Sequence, residues 1–127
     1  MYENLGKLVL RLTVGILVLL HGIAKLTGGV GFITSVVTKA GLPAVLAYGV
    51  YAGEVIGPLL VIIGWYSRLG AILIVLNMLF AIGLVHAGEV FALGRSGGWA
   101  LELQGMFLFG AVAVALLGPG RYALNDR

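Results

Sequence analysis

The chain has 127 residues, 61% hydrophobic and 10% charged, with a mean hydropathy of +1.11, which leaves too little polar surface to cover a water-soluble domain. An integral membrane protein is therefore expected, as one domain with room for four spans of about 20 residues and short connections. The net charge of +3 comes from eight Lys and Arg scattered singly, which excludes a basic stripe for nucleic acid and suits anchors at helix ends. Zero cysteines exclude thiol–disulfide exchange by the protein's own residues, thiolate metal sites, iron–sulfur ligation and covalent c-type haem, so any redox role needs a bound cofactor or a partner.

The first span is expected over about 5–26. Lys7 and Arg11 before Val14–Leu20 mimic a signal peptide, but without a small-x-small cleavage site the segment reads as a retained span. At about 100° per residue, Arg11, Val14, Gly15, Val18, His21, Gly22 and Lys25 share an arc of roughly 120°, a polar, glycine-lined stripe. Gly28-Gly29 ends this helix. Val30–Ala40 is too short to span and is expected as an interfacial or re-entrant helix.

The second span, about 43–66, carries Gly49, Gly53 and Gly57 at four-residue spacing, a ridge of small residues that lets another backbone approach. Glu54 lies beside that ridge. Pro58 supplies no N–H to the carbonyl of Glu54, so a carboxyl side chain and a freed backbone acceptor fall at one locus. Ser67-Arg68 is expected to turn the chain into the third span, about 69–87, with Asn77 near its middle and His86 near its end, on opposite helix faces. A loop over Gly88–Gly98 leads to the fourth span, about 99–117, with Glu102 near its start, and Gly118-Pro119-Gly120 stops it.

Lys7, Arg11, Arg68, Arg121 and Arg127 lie on one side against Lys25, Lys39 and Arg95 on the other, so both termini are expected in the cytoplasm. With about 1.5 Å rise per residue, His21, Lys25, His86 and Glu102 fall at similar depth towards the non-cytoplasmic face, and Glu54 and Asn77 near mid-membrane. These depths predict two pairings, Arg11 with Glu54, and Lys25 or His21 with Glu102. Charged groups in hydrocarbon are costly, and chains that keep several usually point them at one another inside a bundle. Arg11, His21, Lys25, Glu54, His86 and Glu102 are therefore the ligand-binding or proton-handling candidates, while Gly49, Gly53, Gly57 and Pro58 are assigned to helix packing. The histidines lack the tight spacing of metal or haem ligands, so no metal site is expected and haem is disfavoured.

In order and spacing, Arg11, His21-Gly22-x-x-Lys25-Leu26, Gly41-Leu42-Pro43, Glu54, Gly64-x-x-x-Arg68, His86 and Gly118-Pro119-Gly120-Arg121-Tyr122 resemble the DoxX family of small four-helix bacterial membrane proteins. The resemblance covers nearly the whole chain. It implies a four-helix transmembrane bundle in the bacterial cytoplasmic membrane. The family takes its name from a membrane component of a thiosulfate:quinone oxidoreductase, and some members are associated with membrane-bound redox complexes. Arg11, His21, Lys25, Glu54, Arg68 and His86 match its motif, and no catalytic role comes with them.

The reading that unites these features is a membrane subunit of a quinone- or quinol-linked redox system. Quinone chemistry moves protons with electrons and needs hydrogen-bond donors and a titratable group, which His21, His86, Glu54 and Glu102 offer. No intrinsic cofactor is expected; the ligand would be a quinone or quinol, and the partners the lipid bilayer and a redox enzyme subunit or further copies of the chain. Two other classes stay open: a non-catalytic assembly or anchoring subunit, and a small proton-coupled transporter with Glu54 as its titrating group.

Overall fold

The computed structural model describes residues 2–84, 88, 91–93 and 97–125. Five helices run through them: α1 (Tyr2–Gly28), α2 (Gly31–Lys39), α3 (Ala44–Ile63), α4 (Ser67–Leu84) and α5 (Glu102–Leu117). By length and composition α1, α3 and α4 are long and apolar enough to cross a membrane, whereas α5 is apolar but has 16 residues. The remaining regular feature among the described residues is an isolated bridge between Leu93 and Trp99. His86, Arg95 and Arg127 lie outside the described residues.

Helix α1 is longer than expected at both ends. Glu3 in its first turn and Lys25 in its last complement the helix dipole, and Gly29 ends it at φ +81°, a conformation that favours glycine. The chain then doubles back through α2, which packs on the start of α3 around a small cluster of Val30, Val37, Ala47 and Val50.

Helix α3 is composite. It opens as a 3₁₀ turn over Ala44–Tyr48 after Pro43, widens into a π-turn over Ala52–Ile56, and closes as an α-helix over Gly57–Ile63. The widening has a local cause: Pro58 cannot donate to Glu54, and the Gly57 N–H reaches the Ala52 carbonyl five residues back. Gly64 at φ +78° caps the helix, and Tyr66, at φ +48°, completes the reversal. The turn therefore lies at Gly64–Tyr66 rather than Ser67-Arg68, and Ser67 is already the first residue of α4.

The helices pack antiparallel in sequence. Gly15 of α1 faces Pro58 and Ile62 of α3, and Gly22 faces Glu54 and Val55. Gly53 lies against Leu73 and Asn77 of α4, and Gly57 against Gly70 and Ile74. The glycine ridge thus works at Gly53 and Gly57, where backbones meet, but not at Gly49, where no described atom would lie within 4 Å of an added Cβ. Between the helices sits a core that includes Val14, Val18, Val61, Ile74, Phe107 and Val114. Leu20, Leu69, Phe80, Phe109 and Leu116 point outward and stay exposed, as lipid-facing positions do. Helices α4 and α5 have apolar residues on every side, interrupted mainly by Arg68, Asn77, Glu102 and Gln104, so one side meets the core and the other suits hydrocarbon.

Candidate functional site

Two polar clusters divide the interior. At the end of the bundle that carries both termini, Arg11 is 1% exposed. Its guanidinium donates to four backbone carbonyls: Nε to Val61 at 3.0 Å, Nη1 to Pro119 at 2.7 Å and Tyr122 at 2.9 Å, and Nη2 to Ile62 at 3.2 Å. Val61 and Ile62 are in the last turn of α3, where carbonyls lack intrahelical donors and carry the negative end of the helix dipole. Pro119 and Tyr122 belong to the tail beyond α5. The tail is held further by the Arg121 N–H donating to Asn4 Oδ1 at 3.0 Å, the Tyr66 N–H to Asn125 Oδ1 at 3.0 Å and the Asn125 N–H to the Gly64 carbonyl at 3.2 Å.

The predicted pairing of Arg11 with Glu54 is therefore wrong. Arg11 is spent on tail carbonyls and on the carbonyls of Val61 and Ile62, about two turns along α3 from Glu54, a solution invisible to any rule that pairs charge with charge. Arg68, exposed on α4, lays its guanidinium over Gly118 at the same end.

The second cluster lies towards the other end of the bundle, where Lys25 sits in the last turn of α1. Lys25 Nζ donates to Glu54 Oε1 at 2.7 Å, and Asn77 Nδ2 donates to Glu54 Oε2 at 3.0 Å. The Glu54 side chain is 6% exposed and that of Lys25 25%. A buried carboxylate with a donor on each oxygen meets the demand that intramembrane charge be paired and hydrogen-bonded. Three helices thus meet on one carboxylate: α1 through Lys25, α3 through Glu54 itself, and α4 through Asn77. Tyr51 Oη donates to the Lys25 carbonyl at 3.1 Å, which ties the last turn of α1 to α3.

The partner of Lys25 is Glu54, not Glu102, and the reason is geometric. Helical side chains lean towards the N-terminus, so the long Lys25 side chain reaches back over the preceding turn, to the level of Gly22. There the absence of a side chain lets the Glu54 backbone press directly on α1; the carbonyl carbon would be 2.6 Å from an added Cβ. Glu102 is exposed in the first turn of α5, with its carboxylate over Gly98. Among the described residues His21 pairs with neither Glu102 nor another acid; it is exposed, and its ring meets Phe107 edge to face at 5.5 Å. His86 lies outside the described residues. Among those described, no three His, Asp or Glu side chains gather as metal ligands would.

This triad forms part of the wall of a cavity of about 500 Å³. His21 and Gln104 add polar groups, and the rest of the lining is mainly apolar, from Val18 and Phe107 to Phe32 of α2 and Phe80 of α4. The size falls within the range of roughly 300–1,000 Å³ typical of small-molecule sites, and an apolar wall with a few converging polar groups is their usual composition. Asn77, Gln104 and Tyr51 were not among the candidates read from sequence. Of these, Asn77 alone carries a signal in the sequence, since its expected depth matches that of Glu54.

The DoxX family model matches residues 6–87, which takes in α1 to α4 and the whole Lys25–Glu54–Asn77 triad. The chain belongs to the DoxX family. Two relatives extend the likeness over α5. A Bacillus subtilis (strain 168) protein named "Putative oxidoreductase CatD" is 32% identical over 122 residues, covering 96% of this chain and 86% of its own. An "Uncharacterized protein" of Haemophilus influenzae (strain ATCC 51907 / DSM 11121 / KW20 / Rd) is 33% identical over 129 residues, covering 93% of this chain and 87% of its own. No solved structure matches the chain. Family and apolar helices together mark a bacterial membrane protein, and the Bacillus relative links that membrane protein to redox chemistry in name.

The family-motif residues separate by environment. Lys25 and Glu54 face each other across the cavity wall and His21 stands at its edge, while Arg11 and Arg68 serve the opposite end of the bundle.

Proposed function

We propose that this DoxX protein binds a quinone or quinol in the cavity beside Lys25, Glu54 and Asn77, and serves as the membrane subunit of a redox system. The observation that carries the reading is a carboxylate with a charged and a neutral donor, on the wall of an otherwise apolar cavity of about 500 Å³. The donors fit the ligand class. The Lys25 ammonium, the Asn77 and Gln104 amides and the His21 imidazole can serve the ring oxygens, and the apolar walls can hold a flat ring.

In this reading α5 is a fourth span. Its 16 residues rise about 24 Å, and the flanking turns supply the remainder of a hydrocarbon core of about 30 Å. Lys7, Arg11, Arg68 and Arg121 gather at the end carrying the termini, which supports a reading with both termini in the cytoplasm, the protein in the bacterial cytoplasmic membrane and the cavity towards the other face.

Quinone reduction takes up two electrons and two protons. The electrons come from a partner subunit that carries its own redox cofactor. The Glu54 carboxylate, which accepts from Lys25 and Asn77, relays both protons in turn to the two ligand oxygens, and Lys25, a quarter exposed, resupplies each from outside the cavity. Asn77 fixes the carboxylate plane from the far side. The apolar lining keeps bulk water from the exchange.

The test is mass spectrometry of the protein extracted with its native lipids, as wild type and as Glu54→Gln. A quinone retained by the wild type and depleted roughly tenfold in the variant, at equal yield of folded protein, is the expected result. A bare protein, or one holding only phospholipid in both cases, overturns the reading in favour of an assembly subunit or a carrier of an unbound solute.

A further inference from the structure

A second groove, of about 440 Å³, lies along the outer face of α4, lined by Leu76, Leu79, Phe80, Gly83 and Leu84. It is wholly apolar and shares Leu76, Phe80 and Leu84 with the wall of the main cavity. Leu76, Phe80 and Leu84 form one row at four-residue spacing, and the row begins beside Asn77. The two spaces thus share one apolar wall, which runs from beside Asn77 to the lipid-facing surface of α4.

Gly83 is the informative residue. Glycine weakens a helix relative to alanine; Gly53, Gly57 and Gly70 each receive a neighbouring helix, whereas Gly49 borders open space on the cavity side. At Gly83 no described atom would lie within 4 Å of an added Cβ. No described helix uses that space, and it opens into the groove.

We infer that the ligand carries a long hydrocarbon tail, and that the tail leaves the cavity past Phe80 and lies along α4 over Gly83. The inference rests on the reading of the cavity as a quinone-headgroup site. A head hydrogen-bonded by Asn77 sits near the middle of α4, where a charged phospholipid headgroup, which stays at the membrane interface, does not reach. An uncharged ring with a polyprenyl or alkyl tail meets both halves of the site. It also reaches the cavity from within the membrane, through the exposed apolar mouth at Leu76 and Phe80, with no need of an aqueous entrance.

The experiment uses the full-length protein in lipid nanodiscs and two photoreactive benzoquinones with a decyl tail, one with an azido group on the ring and one with it at the end of the tail. Peptide mapping is expected to place the ring label around Glu54 and Asn77 and the tail label within Leu79–Leu84, both displaced by excess unlabelled decyl quinone. Gly83→Phe fills the groove from a position with no described atom to clash with, and lowers the tail label roughly tenfold. Tail-less quinone still displaces the ring label in that variant, and Gly83→Ala behaves as wild type.

A tail label spread evenly over the lipid-facing surfaces of α1 and α5, or one unchanged by Gly83→Phe, overturns the tail path while leaving the headgroup site standing. Labelling of Leu79–Leu84 by an azido-acyl phospholipid that excess quinone does not displace assigns the groove to a lipid and overturns it too. If unlabelled quinone displaces neither label, the headgroup reading fails and this inference falls with it.

Discussion

The two ends of the bundle handle buried charge in opposite ways. At the end carrying the termini, one guanidinium is consumed by four backbone carbonyls from α3 and the tail. Around Glu54, charge is satisfied by side chains, and those side chains border a cavity. Backbone carbonyls do not titrate or swing away, so a charge bound to them works as a fastener. Side-chain partners can exchange protons and admit a ligand. The two polar clusters of this DoxX protein thus divide into one fastened to backbone and one held by side chains at a cavity wall.

The largest expected effect tests the structural end. Arg11→Lys keeps the positive charge but replaces a planar fork by a point charge with three donors, which cannot span carbonyls from two separate segments. Carbonyls of the tail or of the last turn of α3 are left without a donor in a buried site. The variant is expected to lose about 3–5 kcal/mol, the usual cost of breaking a buried charged network, seen as a large drop in the temperature at which the detergent-solubilised protein aggregates. A variant as stable as the wild type would erase the distinction between the two ends.

Much of this molecule is legible in its sequence, for identifiable reasons. Composition demands a membrane protein, and of the stripe from Arg11 to Lys25, Arg11, Val14, Gly15, Val18 and Gly22 form the buried face of α1, while His21 is exposed and Lys25 half-buried. Glu54 stands out because a carboxyl beside a helical proline has few stable settings. The partners were not legible. Charge-to-charge reasoning sends Arg11 to Glu54, because nothing in Pro119 or Tyr122 advertises a carbonyl that folds back under the bundle. Depth reckoned from a uniform helical rise separates Lys25 from Glu54; the lean of the lysine side chain and the irregular path of α3 bring them together. Asn77 is neutral, and only the carboxylate it meets in three dimensions gives it a role.

The glycine ridge of α3 crosses both regions and offers a graded probe of the same contrast. Gly57 lies where the helices are in backbone contact: an added Cβ would come within 2.8 Å of the Gly70 carbonyl oxygen and 3.2 Å of Ile74 Cγ1. Neither neighbour can withdraw cheaply, since one is backbone and the other belongs to the close-packed core. Gly57→Ala is expected to destabilise by about 1–3 kcal/mol, the ordinary penalty of overpacking, measurable as a lower midpoint of thermal aggregation. A neutral outcome would mean that α3 and α4 are less tightly seated than their contacts require.

Gly49 is the counterpart eight residues earlier, on the cavity side, where an added methyl meets no described atom within 4 Å. Overpacking is absent there. Alanine is also the better helix former, by up to about 1 kcal/mol in a regular helix interior, although Gly49 follows a 3₁₀ turn and the full gain does not apply. Gly49→Ala is therefore expected to change stability by no more than about 0.5 kcal/mol, the range of substitutions away from packed contacts. The same four-residue spacing thus carries two meanings along one helix, a seam at Gly53 and Gly57 and cavity space at Gly49. If Gly49→Ala destabilised as much as Gly57→Ala under the same thermal assay, helices would have to close on Gly49 in the membrane, and the cavity beside Glu54 would be smaller than it is here.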